Sequence, residues 1–339
     1  EPTAHSAKLK LVLTLTNTTA KPIQQVLVGQ HWAYPLQQIA MTGAELSGEN
    51  RPLGQREFTL TSPLLPGQHL SLTVQLQLKQ KGLWPAAMHQ LIRPDFSYLR
   101  SVPLFPAVGF VPEYRIRDNS TRTHYGLPER TELKPSEAST AQAAYQWVNM
   151  ESVISVPEGQ QAIAQGALVK QWQQDGRSFF HYKTSQPLRA ISAFVVVPWQ
   201  AKQVQHGKVL LEMYVPEQNQ STELTMLAMQ QTLSWFEQQI SPYSGDVLRL
   251  VSMPELDSGG TGYALPQLVL INHRVGVRAR QAVDAGFSQV YRRAVHEVAH
   301  QWFGHDMGNG VPGDGTFLVE SLAKYVELVL IEQHFGKDA

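Results

Sequence analysis

The sequence predicts an α+β multidomain protein, with an N-terminal all-β domain over residues 1–206 followed by an α/β domain over residues 207–339. Three observations carry this. Apolar and polar residues alternate at period two in the first part of the chain. Apolar stripes at three- and four-residue spacing enter only after residue 207, and strands and helices then follow one another in turn.

The β elements come first. "KLKLVLTLTN" alternates from Leu9 to Leu15, and "LSLTVQLQLK" does so from Leu70 to Leu78, after the Pro66-Gly67 turn. Phe179 to Tyr182 and Ala190 to Val197 read as further strands, and residues 112–144, polar and rich in turn formers, as long loops. Beyond residue 207, "KVLLEMYV" is a strand. A helix capped by Ser221 or Thr222 follows, with Leu224, Leu227, Leu233, Phe236 and Ile240 along its stripe. "DVLRLVSM" and "QLVLINH" are strands separated by the flexible "LDSGGTGYALP". A second amphipathic helix runs from about Gly286 through Val290, Tyr291, Ala294, Val295, Val298 and Trp302 to a stop at Gly304. After "GNGVPGDGT", a third helix spans about Thr316 to His334.

Composition narrows the chemistry. The 28 basic and 28 acidic residues cancel, which argues against a nucleic-acid partner. The absence of cysteine excludes disulfides, thiolate zinc ligands and thiol catalysis together. No apolar run approaches the roughly 20 residues that span a bilayer. The chain begins at Glu1 and not at a methionine, so it is expected to be a mature form or an excised part of a larger protein. The sequons at Asn17 and Asn119 are short enough to arise by chance.

"HEVAHQWFGHD", residues 296–306, falls on the second helix. There His296 and His300 sit one turn apart on one face, so both imidazoles can reach one metal ion. Glu297 is turned about 100° around the axis, beside such an ion and not on it, where it can take a proton from activated water. Catalytic zinc wants a third protein ligand. Glu320, in the first turns of the next helix, is the best candidate; His305 is a rival that lies off the histidine face and is better suited to a supporting or loop role. Asp306, Asp314 and Glu327 read as solvated or capping residues, and Tyr325 as a core residue.

"HEVAHQWFGHD" followed by "FLVESLAKYVE" resembles the gluzincin aminopeptidases related to leukotriene hydrolase. "SPYS", "LRLVSMPEL" and "LVLINH" stand in the order of that family's thermolysin-like domain, and "HQWFGH" with "ESLAKY" is most similar to a bacterial subgroup joined to permease-like membrane segments of ABC transporters. The resemblance implies a thermolysin-like zinc-peptidase domain truncated at its C-terminal end, its helical part absent. It implies Zn2+ on His296, His300 and Glu320, Glu297 as general base, peptide substrates, and permease segments of the same full-length protein as partners.

Three departures stand out. Nineteen residues separate His300 from Glu320, one more than is usual in the family. The family's amine-binding glutamate, in a GxMEN strand, would align with Ala264 or a neighbour and is missing; Glu255 or Asp257 are its conceivable substitutes. The family's transition-state tyrosine would lie beyond Ala339. Two other readings stay open at this point: a catalytically degenerate zinc-binding module of a transporter-linked protein, and a structural domain without metal.

Overall fold

The structure, a computed structural model, describes residues 1–30, 34, 36–51, 53–80, 90–109, 116, 118–129, 146–254, 262–276, 288–307 and 317–337. These are mostly strands, with few helices. They fall into two compact units, residues 1–92 with 99–143 and residues 93–98 with 144–339. Residue 207, where the sequence pattern changes, lies in a hairpin of the second unit.

In the first unit β1 (Ser6–Thr16), β2 (Ile23–Gly29), β3 (Leu36–Met41), β4 (Ala44–Asn50), β5 (Gln55–Leu64) and β6 (His69–Lys79) make two antiparallel sheets. One has the order β1-β6-β3; the other includes β4-β5-β2. The period-two segments of the sequence are β1 and β6, paired along their whole length from Ser6 opposite Lys79 to Thr16 opposite His69. Because successive side chains alternate faces, Leu70, Leu72, Val74, Leu76 and Leu78 all point one way, into a core shared with Phe58 and Leu60 of β5. Asn17 is buried there, and its amide donates to the Lys21 and Leu64 carbonyls.

The second unit contains the antiparallel strands β7 (Glu151–Pro157), β8 (Ala167–Gln174) and β9 (Arg177–Lys183), with β9 central. It also contains a five-stranded sheet of β10 (Ala201–His206), β11 (Val209–Tyr214), β12 (Val247–Met253), β13 (Gly262–Leu265) and β14 (Leu268–Asn272), in the order β10-β11-β12-β14-β13. The three middle strands are parallel and both edges antiparallel. Strands β12 and β14 are buried at every residue, as parallel strands covered on both faces must be.

Three helices, α1 (Gln220–Gln239), α2 (Gln289–Ala299) and α3 (Leu322–Phe335), bury their apolar stripes with Leu211, Met213, Leu248, Leu250, Val269 and Ile271 of the sheet. The alternate residues of β11 and β12 include an ion pair: Arg249 Nε donates to Glu212 Oε2 at 2.5 Å. Buried charge is tolerated when its remaining donors are satisfied. Here Arg249 Nη1 also donates to the carbonyls of Ala164 and Gly166, and the guanidinium lies 5.0 Å from the Tyr182 ring centroid.

Three local expectations are corrected. The cap of α1 is Asn219, not Ser221 or Thr222; its side chain accepts from both of their backbone N–H groups, and Thr222 Oγ1 accepts from the Asn219 N–H in return. Helix α2 ends at Ala299 with His300 as its cap, and does not continue to Gly304. Part of the expected loop "LDSGGTGYALP" is the edge strand β13, while residues 255–261 lie outside the described residues. Among the described residues no helix is long and apolar enough to cross a membrane.

Candidate metal centre

Helix α2 places the motif. Ser288 caps its start, and Val290, Tyr291, Ala294, Val295 and Val298 fix the helix face that packs into the core. Beyond its end the chain turns tightly, and Trp302 stacks on Phe236 at 4.0 Å while its indole N–H donates to Ser241. The helix end is also tied to the β13–β14 turn. Gln301 Nε2 donates to the Leu265 carbonyl at 2.9 Å, and its Oε1 accepts from the Gln267 N–H at 2.8 Å.

His296 and His300 are buried, with ring centroids 4.7 Å apart and planes at 83°. Glu320 reaches them from residues 317–321, a single π-type turn leading into α3. Its Oε2 lies 3.4 Å from His296 Nε2 and 3.8 Å from His300 Nε2. A tetrahedral zinc with ligand bonds of about 2.1 Å separates its donors by roughly 3.4 Å, so the Glu320 oxygen already stands near the required spacing from both nitrogens. Among the described residues this is the one group of histidines and acids whose ligand atoms, all within 4.8 Å of one another, could hold a metal ion.

The outer ring nitrogen of His300 agrees with that arrangement. His300 Nδ1 lies 3.2 Å from the Phe303 carbonyl, an acceptor only, so Nδ1 carries the proton and Nε2 keeps its lone pair. Burial lowers the His300 pKa and favours this neutral form. His296 Nδ1 is buried and faces Glu327 Oε2 at 3.3 Å, without the geometry of a hydrogen bond.

Glu327 corrects the expectation of a solvated helix residue, since it is 1% exposed. Burial pushes its pKa up, but His296, Lys324 and Arg292 outweigh that and hold it at about 2. Its partners are close: Lys324 Nζ at 2.8 Å and the Arg292 guanidinium in direct contact.

Glu297 is buried beside the triad, and burial raises its pKa. Arg293 Nη1 stands 3.5 Å from its Oε1. On its other side is β13. A Cβ on Gly262 would lie 2.2 Å from Glu297 Oε1, so only glycine leaves room for the carboxylate here.

The remaining candidates fall elsewhere. His305 does not join the triad; burial lowers its pKa to about 3, and its carbonyl accepts from Arg189 Nε. Asp306 is half-buried and accepts from Ser244 Oγ at 3.2 Å. Tyr325 is 59% exposed, so it is not a core residue. Asp314, Glu255 and Asp257 lie outside the described residues. Sequence reasoning missed Glu327, Gly262 and Gln301. Only Glu327 left a signal, for it follows Glu320 by seven residues, two helical turns along one face.

No family model and no curated protein matches the chain. Solved structures do. The M1 zinc metallopeptidase from Deinococcus radiodurans superposes with a TM-score of 0.62 at 18% identity, covering 96% of this chain and 66% of that one. The fold is that of the M1 zinc metallopeptidases. A mutant of the Deinococcus enzyme bound to a Tyr-Ser-Ala substrate gives a TM-score of 0.59 at 17% identity, covering 96% and 67% of the two chains. The chain thus spans about two thirds of the length of these enzymes.

Proposed function

We propose that the protein is a zinc-dependent metallopeptidase whose second unit carries a thermolysin-like catalytic arrangement, of the gluzincin, aminopeptidase-like kind. The observation that carries the reading is the convergence of His296, His300 and Glu320, with the buried Glu297 carboxylate beside them. The likeness of fold to the M1 metallopeptidases supports it.

In this reading the two imidazoles and Glu320 hold Zn2+. A zinc ion there would supply Lewis acidity, lowering the pKa of a water and drawing charge from the scissile carbonyl. The Phe303 carbonyl holds the His300 imidazole in the tautomer that offers Nε2, and the Glu327 carboxylate lies beside the outer nitrogen of His296. Glu297 accepts the proton of the attacking water and returns it to the leaving amine.

Glu297→Gln keeps the shape of the site and removes the base. We expect it to bind zinc as tightly as the wild type and to lose about a hundred-fold or more in peptide turnover. Wild-type turnover by this variant would refute the role of Glu297.

The likeness of "HQWFGH" and "ESLAKY" to the transporter-linked subgroup supports permease-like segments as neighbours of this unit. Recovery of the native protein in the membrane fraction would agree with that; its recovery free of membranes would not.

A further inference from the structure

Resting on the peptidase reading above, we infer that Arg293 is a positioning residue for the general base, holding the Glu297 carboxylate from the helix side while Gly262 confines it from the strand side.

A base acts from one place. A reacting group displaced by about 1 Å can cost about a hundred-fold in rate, so a glutamate on its rotatable stem has to be confined. Glu297 meets a neighbour on two sides. Towards β13, a Cβ built on Gly262 would stand 2.2 Å from Oε1, 2.4 Å from Cδ and 2.7 Å from Cγ, so the strand backbone lies along the end of the side chain. Towards α2, Arg293 Nη1 reaches the same Oε1 at 3.5 Å. Residues four apart share one helix face, so base and guanidinium belong to one rigid turn. The Glu297 side chain is 6% exposed and that of Arg293 27%, so the arginine comes to a buried carboxylate from a partly open position.

Helix stability does not explain the pair. At four-residue spacing the acid before the base is the more stabilising order, and here the arginine comes first. Its neighbour Arg292 turns to Glu327 on α3, in direct contact. Two consecutive arginines of one turn thus reach two different carboxylates of the site.

The test is steady-state cleavage of one unblocked peptide by the zinc-loaded protein and by Arg293→Gln, Arg293→Met and Arg293→Lys. Arg293→Met keeps an apolar stem and loses the guanidinium. Both neutral variants should lower kcat by about tenfold or more at unchanged KM, the mark of an interaction that counts in the transition state. Zinc affinity, by chelator competition, should stay at the wild-type value. A phosphinic analogue of the same peptide, which imitates the transition state, should bind more weakly in step with the fall in kcat/KM. Arg293→Lys should recover most of the rate, since an ammonium can replace a contact made from Nη1. A folded neutral variant with wild-type kcat, or one in which only KM rises, would overturn the inference and leave the peptidase reading standing. So would loss of zinc, or failure of both neutral variants to fold by circular dichroism, because Arg293 would then serve the ligands or the fold. A wild type that binds one zinc per chain and cleaves no peptide would overturn the peptidase reading itself.

Discussion

At the scale of single residues, the candidate centre depends on side chains outside the proposed ligand set. Glu327 is the clearest of them. Its carboxylate faces His296 Nδ1 at 3.3 Å and is held ionised by Arg292 and Lys324. Glu327→Gln should weaken zinc affinity by about ten- to a hundred-fold, measured by chelator competition, with the fold retained. Affinity equal to wild type would show that the contact does not position His296. Gly262 is the second. In Gly262→Ala the new methyl meets Glu297 Oε1, so turnover should fall while zinc remains bound. The convergence of the candidate ligands was legible, because a helix converts the spacing of His296 and His300 into one face. Glu327 was not. A glutamate on an amphipathic helix ordinarily faces water, and its enclosure comes partly from Arg292 on a different helix, which local pattern cannot reveal.

At the scale of elements, the site is where α2, the turn before α3 and the edge strand β13 meet. Gln301 fastens α2 to the β13–β14 turn through two backbone groups, and all of these atoms are buried. Gln301→Ala leaves a buried carbonyl and a buried N–H without partners, at a cost of about 1–3 kcal/mol each. Urea unfolding should therefore show a clearly lower midpoint with an unchanged slope, whereas an unchanged midpoint would mean that the fastening contributes nothing. Gly304 serves the same junction. Its φ of 122° is open to glycine, and a Cβ there would press on Val319, the neighbour of Glu320, at 3.2 Å. The long periodic elements β1, β6, α1 and α2 could be read from the sequence because each repeats its pattern over two or more turns or pleats. β13 could not: its four residues, Gly-Tyr-Ala-Leu, are too few to show a period, and only pairing with β14 makes them a strand.

At the scale of the whole molecule, each of the two units has its own core, and the sheet of the second is covered on both faces. Buried phenols make this unit sensitive to alkali. Burial raises Tyr182 to about 12, from an ordinary 10.0, and Tyr291 to about 12 likewise. A group whose pKa is raised on folding contributes stability that is fully present below its unfolded pKa and is lost as pH rises through the folded one. Stability should therefore hold up to about pH 10 and decline between about 10 and 12. Ultraviolet titration should show phenolate appearing together with unfolding; ionisation of every tyrosine near pH 10 in the folded protein would contradict this. The alternation of helix and strand after residue 207 was visible in sequence. The division into units was not, because residues 93–98 join the later part of the chain through contacts distant in sequence.

The most direct test of the whole account is zinc stoichiometry and affinity, measured by elemental analysis and chelator titration on the wild type, Glu297→Gln and His300→Ala. One tightly bound zinc per chain is expected in the first two, and in His300→Ala an affinity lower by at least about a hundred-fold. A wild type that binds no stoichiometric zinc, or a His300→Ala variant that binds it equally well, would contradict the assignment of this site.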